Sequence, residues 1–224
     1  MTTLAASALD AIVHLPSGSM LILPEFSWAA YERLLADLGE GYGVRIQYDQ
    51  GKLTVMSPSA RHEKCKELIL RIADTIADEL GCDLESFGST TFKRQELGKG
   101  AEPDTCFYVQ NASAVAGRTE LDPARDPPPD VVVEIDVAHD SKSKFRFYQR
   151  LGAPEIWLYD GDSAQIYHLT PQGYAVAEVS RAFPVLTAAA LTRFLAQGQV
   201  GPERAVLRSI RQWLRAGGKS STTS

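Results

Sequence analysis

The feature that most constrains this chain is a short apolar run bounded by acidic residues, Asp130-Val131-Val132-Val133-Glu134-Ile135-Asp136. A β-branched run of this length is typical of a buried strand. Because side chains alternate across a strand, Glu134 and Asp136 are predicted to share one face, opposite Val131 and Val133. Carboxylates in such a position are costly to bury without a positive partner. The run therefore predicts a central strand with a charged site on one face.

Two more charged residues flank this strand. Asp104 follows Pro103 at the start of another predicted strand, and Lys144 lies at the start of the helix predicted after the acidic run. Hard divalent cations prefer carboxylate oxygen, so the three carboxylates indicate a divalent metal site. A bound metal lowers the pKa of water, and a nearby lysine can stabilise developing negative charge. These residue types point to metal-assisted hydrolysis of a phosphodiester.

Length and composition bound the class of protein. The chain has 224 residues, 44% of them hydrophobic, which predicts a single domain over 25–217 with a poorly ordered arm at 1–24 and a polar tail at 218–224. The three cysteines lack paired spacing, which favours reduced thiols and a cytoplasmic protein. We expect no membrane span and no signal peptide. The net charge of −5 argues mildly against avid, nonspecific nucleic-acid binding.

The local patterns predict a mixture of helices and strands. Ser27 is a plausible N-cap for a helix that ends near Leu38, and Asp140 or Ser141 is a plausible N-cap for the helix that carries Lys144. The other predicted helices cover 57–80, 187–196 and 202–216. Strands are predicted at 44–48, 53–56, 84–87, 90–93, 105–109, 156–159, 165–169 and 174–179, with a polar loop at 95–101 and an irregular connection at 111–130.

Four further residues are candidates for supporting roles. His62 is predicted to point toward the core from the first turn of the long helix, and it is either a catalytic group or a satisfied structural histidine. Lys142 and Arg146 belong to the same basic cluster as Lys144, and they either contact phosphates or form a solvated helix face. Lys93 either meets a nucleic-acid backbone or discourages aggregation at a strand edge.

Several motifs also resemble a known family. Asp104 with Glu134-Ile135-Asp136 resembles the PD-(D/E)XK nuclease signature, although the third motif position holds Asp136 where that signature has lysine. The resemblance narrows to the Uma-type family of bacterial restriction endonucleases, and it extends from about Glu25 to about Arg215. The motifs that carry it are Gly88-Ser89-Thr90-Thr91-Phe92-Lys93, Glu102-Pro103-Asp104, Val133-Glu134-Ile135-Asp136, Lys144-Phe145, Tyr148 and Leu151-Gly152-Ala153-Pro154-Glu155-Ile156-Trp157.

This resemblance implies an α/β fold with a mixed sheet, a restriction-endonuclease-like core flanked by helices. It implies an Mg²⁺ or Mn²⁺ site in which Asp104, Glu134 and the Ile135 carbonyl are ligands. Lys144 resembles a catalytic lysine that has moved from the strand to the following helix, and His62 matches a helix that borders such sites. The implied substrate is DNA, and a homodimer is expected because cutting two strands favours two sites.

Two alternatives stay open from the residues. The first is a non-catalytic nucleic-acid-binding or regulatory dimer that retains the nuclease fold, motivated by the missing motif lysine and the acidic net charge. The second is metal-dependent hydrolysis of a small phosphate ester, which ranks last because the chain has no Gly-rich phosphate loop.

Overall fold

The computed structural model describes residues 2–39, 42–122, 125–136 and 141–218. The chain forms two compact units, the first built from Met1–Glu63 with Ser89–Pro103 and the second from Lys64–Gly88 with Asp104–Ser224. Each unit contains its own β-sheet. No helix among the described residues has the length and apolar character needed to cross a membrane.

Seven α-helices and eleven strands are assigned within these ranges, with short 3₁₀ helices at Gln95–Leu97 and Ser141–Lys144. In chain order they are α1 Thr2–Val13, β1 Met20–Leu23, α2 Trp28–Leu38, β2 Arg45–Asp49, β3 Lys52–Met56, α3 Ala60–Leu80, β4 Glu85–Ser86, β5 Phe92–Arg94, β6 Lys99–Ala101, β7 Thr105–Tyr108, α4 Ala112–Val115, β8 Val131–Ile135, α5 Phe145–Leu151, β9 Glu155–Tyr159, β10 Ala164–Thr170, β11 Gly173–Ala177, α6 Ala188–Val200 and α7 Glu203–Arg215.

The sheet of the first unit is antiparallel, with strand order β1-β3-β2-β6-β5. The β2–β3 hairpin has a two-residue loop in which Gln50 and Gly51 both have positive φ, 46° and 96°. That combination is characteristic of the type I′ turn, whose twist matches the flanking strands. Helix α2 begins as predicted at Ser27, whose hydroxyl accepts a hydrogen bond from the Ala30 amide at 3.2 Å.

The sheet of the second unit is mixed, with strand order β11-β10-β9-β8-β7-β4. Strands β8 and β9 are parallel and the other pairs are antiparallel. One face packs on the apolar residues of α3, α6 and α7, and this core includes Val131, Val133 and Ile135. The predicted helical stripe of α3 supplies Leu68, Ile72 and Ile76 among others. The mixed α/β class predicted from the sequence is confirmed.

Helix α4, Ala112–Val115, lies within the connection at 111–130 that the sequence predicts to be irregular. The structure differs from the sequence prediction at three further places. Residues 1–24 were expected to be poorly ordered, but they contain α1 and β1, and Ala8 and Ile12 of α1 are buried. The sequence of α1 is rich in alanine and has only a weak helical periodicity of apolar residues, so the sequence does not predict this helix. The predicted loop at 95–101 contains β6, and a Cβ at Gly100 would lie 2.4 Å from the Tyr31 hydroxyl, so glycine permits this packing.

The third difference concerns the segment before α5. Ser141–Lys144 forms a 3₁₀ helix and the α-helix begins only at Phe145. Asp140, the alternative N-cap, lies outside the described residues, as does the predicted tail beyond Gly218.

Candidate active site

The pairing of β7 with β8 determines the position of the two carboxylates. Thr105 lies opposite Val133 in this antiparallel pair, and the Asp104 amide donates to the Val133 carbonyl at 3.1 Å. Extending the register by one residue places Asp104 opposite Glu134. Directly opposed residues on antiparallel strands share a face and have neighbouring side chains. Two like charges so placed repel each other, so this pair needs a proton or a cation nearby.

Lys144 supplies positive charge to this pair. Its Nζ donates to both oxygens of Glu134, at 2.9 Å and 3.1 Å, and both side chains are buried. The sequence predicts that Lys144 lies near the site, and in the structure it pairs directly with the Glu134 carboxylate.

Tyr148 is the second side chain that contacts Glu134. Its hydroxyl donates a hydrogen bond to Oε1 of the carboxylate, and the tyrosine is completely buried. Lys144 and Tyr148 are four residues apart and therefore project from the same side of the helical segment. Helix α5 is held by Phe145, whose ring lies 5.0 Å from the ring of Tyr167 between centroids, and it ends at Gly152 with φ 85°.

Burial controls the ionisation of Glu134. Desolvation raises the pKa of this carboxyl group to about 7, and the negative charge of Asp104 acts in the same direction. The Lys144 ammonium and the Tyr148 hydrogen bond oppose the shift. Burial also raises the pKa of Tyr148 well above its usual value, with the Glu134 charge as the next cause, so this hydroxyl stays protonated and remains a donor.

Asp104 is fixed by the neighbouring backbone. Its Oδ2 accepts a hydrogen bond from the Ile135 amide at 2.7 Å, and the side chain is buried. The contact ties the Asp104 carboxylate to the backbone of the residue that follows Glu134, which fixes Asp104 beside β8. The Ile135 carbonyl belongs to the same short segment of β8.

The donor chemistry of this group fits a hard divalent cation. Asp104, Glu134 and the Ile135 carbonyl would supply only oxygen ligands, which Mg²⁺ and Mn²⁺ accept. Across the described residues, no three His, Cys, Asp or Glu side chains converge on a metal-sized site. Mg²⁺ is usually held by one or two carboxylates, with water and substrate phosphate completing its shell, so two carboxylates are sufficient.

The outer side of the same helical segment is basic. Lys142, Arg146 and Arg150 are spaced four residues apart and all three are exposed. We call these three residues the α5 basic face. One short segment therefore presents a lysine and a tyrosine inward to Glu134 and three cations outward.

Three other residues predicted for the site are placed differently. Asp136 follows the end of β8, is partly buried, and donates its amide to the Tyr159 carbonyl at 2.7 Å. His62 is a buried residue of the first unit whose Nδ1 lies 3.7 Å from Glu63 Oε1. Lys93 also belongs to the first unit and lies 3.4 Å from Glu32 at an exposed position of β5. Functional roles for these residues stay predictions.

Sequence reasoning missed two further buried glutamates. In the first unit, the Glu102 carboxylate accepts hydrogen bonds from Tyr42, from Thr91 at 2.6 Å and from the Ile46 amide at 3.0 Å. Desolvation nevertheless raises its pKa. In the second unit, Glu155 accepts from Trp157, the Ser180 hydroxyl and the Arg181 amide. Apart from Trp157, which lies two residues after Glu155, and Thr91, which lies 11 residues before Glu102, their partners come from distant parts of the chain, so no local spacing reveals the full sets.

Asp104 precedes β7 and faces Glu134 of β8, and the helical segment after β8 brings Lys144 into contact with Glu134. This is the arrangement that the sequence motifs imply for a restriction-endonuclease-like fold. A solved structure supports this fold. The crystal structure of a putative nuclease belonging to DUF820 from Anabaena variabilis ATCC 29413 is similar with a TM-score of 0.51 and 16% sequence identity, over 73% of this chain and 97% of that chain. At this identity the likeness concerns the fold alone.

The family model described as "Uma2: Putative restriction endonuclease" matches residues 28–197. The match covers most of the chain, and the protein therefore belongs to this family. The family predicted from the sequence motifs is confirmed. A search of curated proteins finds no match.

Proposed function

We propose that this protein is a metal-dependent endonuclease that hydrolyses DNA phosphodiester bonds. The observation that carries the proposal is the buried group formed by Asp104, Glu134 and Lys144. A nuclease family and a nuclease-like fold make phosphodiesters the natural substrate class. Burying two opposed carboxylates is costly for stability, and such groups are concentrated at functional sites.

The residues have distinct roles in this proposal. Asp104 and Glu134, with the Ile135 carbonyl, hold Mg²⁺ or Mn²⁺. When bound, the cation supplies Lewis-acid stabilisation and lowers the pKa of its water. Lys144 moves from Glu134 toward the scissile phosphate, where its ammonium stabilises the negative charge that develops during hydrolysis. The flexible four-carbon stem of lysine allows this movement.

DNA contacts are assigned to the α5 basic face. Exposed arginine and lysine side chains contact backbone phosphates without reading sequence. Phosphate contact is one of the two interpretations that the sequence leaves open for Lys142 and Arg146, and Arg150 extends the same exposed row. These contacts would hold the DNA backbone at the segment that carries Lys144.

The second candidate is a non-catalytic nucleic-acid-binding protein that retains the fold. One observation favours it, since Lys144 is engaged by both oxygens of Glu134. In that reading the lysine neutralises a buried carboxylate permanently, and the α5 basic face alone carries the function.

A cleavage assay separates the two candidates. Duplex DNA is incubated with Mn²⁺ and with wild type, Asp104→Asn, Glu134→Gln or Lys144→Gln, and Asp162→Asn serves as an exposed acidic control in the same unit. The proposal expects each site variant to lose about 100-fold or more in rate, while the control retains activity. DNA binding without cleavage by wild type, or cleavage that survives Glu134→Gln, would refute the nuclease assignment.

A further inference from the structure

A feature that the proposed mechanism does not use is the hydroxyl of Tyr148. It donates to Glu134 Oε1, whereas Lys144 bridges both oxygens of the same carboxylate at 2.9 Å and 3.1 Å. The two partners differ in mobility. Lysine carries its charge on a flexible stem, but a buried tyrosine has only two side-chain torsions and a ring fixed by packing.

We propose that Tyr148 is a positioning residue that fixes the orientation of the Glu134 carboxylate for metal binding. The inference rests on the proposed function, because it concerns the same site. If Lys144 turns toward a substrate phosphate, it gives up its hydrogen bonds to Glu134. Tyr148 then keeps Oε1 in place, so that the carboxylate does not rotate away from Asp104.

The simplest alternative is that Glu134 merely satisfies a buried hydroxyl. Buried tyrosines need a hydrogen-bond acceptor, and a backbone carbonyl is sufficient for this purpose. In the same unit, Tyr108, Tyr159 and Tyr174 each donate to a backbone carbonyl, of Pro127, Gly161 and Ala153 respectively. Tyr148 instead donates to a carboxylate that faces a second carboxylate. The position of the Tyr148 hydroxyl is therefore consistent with a role in orienting the Glu134 carboxylate.

The chemistry of metal sites supports such a role. Partners that hydrogen-bond a ligating side chain set its orientation, and their removal typically costs about 10–100-fold in metal affinity. The Tyr148 hydroxyl is such a partner, since it donates to Glu134 Oε1 from a fully buried ring. Its loss would leave Lys144, which the mechanism moves toward the phosphate, as the remaining side-chain donor to Glu134 Oε1 among the contacts described above, without adding or removing formal charge.

The test compares Tyr148→Phe with Tyr108→Phe. Both tyrosines are fully buried in the same unit and donate one hydrogen bond, so the control matches the loss of a hydroxyl. Calorimetric titration with Mn²⁺ is expected to show about 10-fold weaker binding for Tyr148→Phe and wild-type binding for Tyr108→Phe. In DNA cleavage, the Mn²⁺ concentration at half-maximal rate should rise by a similar factor, with KM for DNA unchanged.

Equal Mn²⁺ affinity for wild type and Tyr148→Phe would overturn the inference and leave the proposed function intact. If wild type binds no Mn²⁺ either alone or with a phosphorothioate duplex that resists cleavage, both fail together. A measurement on the unaltered sequence covers the case in which Tyr148→Phe does not fold. With carbon-13 at Cζ of tyrosine, the Tyr148 resonance should shift when Mg²⁺ is added and the Tyr108 resonance should not. No shift at Tyr148 would refute the positioning role.

Discussion

The ion pair between Lys144 and Glu134 makes a strong prediction for Lys144→Met. Methionine resembles the lysine stem in size but leaves Glu134 buried without its cation. Removing one partner from a buried pair typically costs about 3–5 kcal/mol in the free energy of unfolding. Both side chains are buried and Lys144 donates to both oxygens of Glu134, at 2.9 Å and 3.1 Å, so we expect a loss in this range at pH 8.

The loss should depend on pH with a definite sign. In the wild type the pKa of Glu134 is already raised to about 7, and Lys144 acts to lower it, so Lys144→Met raises it further. A carboxyl group whose pKa is raised on folding binds a proton more tightly in the folded state, so it stabilises at low pH and loses this contribution as pH rises toward the folded pKa. The difference in free energy of unfolding between wild type and Lys144→Met should therefore become smaller as the pH falls below the pKa of Glu134 in the folded variant. It should decrease by about 1.4 kcal/mol for each pH unit, until Glu134 of the wild type is also protonated.

Urea unfolding at pH 5.5 and pH 8 measures this effect. A Trp28→Phe background leaves Trp157 and Trp213 as fluorescence reporters of the second unit. Arg204→Met is the control, because this arginine is exposed and its replacement should change stability by less than about 0.5 kcal/mol. A loss below about 1 kcal/mol for Lys144→Met, or the same loss at both pH values, would refute the buried ion pair.

Two more predictions concern the α5 basic face and the packing of the first unit. The double substitution of Arg146→Gln and Arg150→Gln should reduce the slope of log binding constant against log salt concentration for duplex DNA by about 2. The control double substitution of Arg204→Gln and Arg208→Gln should leave this slope unchanged. Equal slopes for the two double variants would show that DNA does not bind the α5 basic face. Gly100→Ala should destabilise the first unit by about 1–3 kcal/mol in thermal unfolding, because the added methyl group would lie 2.4 Å from a buried tyrosine oxygen, and an unchanged melting temperature would contradict this packing.

The central strand could be predicted from sequence because its signal is local. The valine run, the alternation of side chains and the acidic residues all lie within seven positions, and β8 forms there. The position of Asp104 opposite Glu134 needed the strand register, which the local sequence does not contain. The family motifs indicate that Asp104 and Glu134 belong to one site, and the register of β7 with β8 shows that the two residues lie opposite each other.

The contacts of Glu134 show what the sequence could not supply. Tyr148 lies four residues after Lys144, so a helical segment predicts that both project from one side, but not that they reach the same carboxylate. Electrostatic reasoning favoured a metal as the positive partner, and the structure adds the lysine as a direct partner. For Glu102 and Glu155 most of the hydrogen-bond donors are distant in sequence, so only the fold reveals that these glutamates are satisfied.

The measurement that tests the central claim most directly is calorimetric Mn²⁺ titration of wild type and Glu134→Gln, with Asp162→Asn as control, alone and with a phosphorothioate duplex that resists cleavage. The duplex is included because substrate phosphate often completes such sites. The proposed site predicts binding by wild type and Asp162→Asn that Glu134→Gln loses. Equal binding by all three proteins would place the metal elsewhere, and no binding by wild type under either condition would contradict a metal-dependent nuclease.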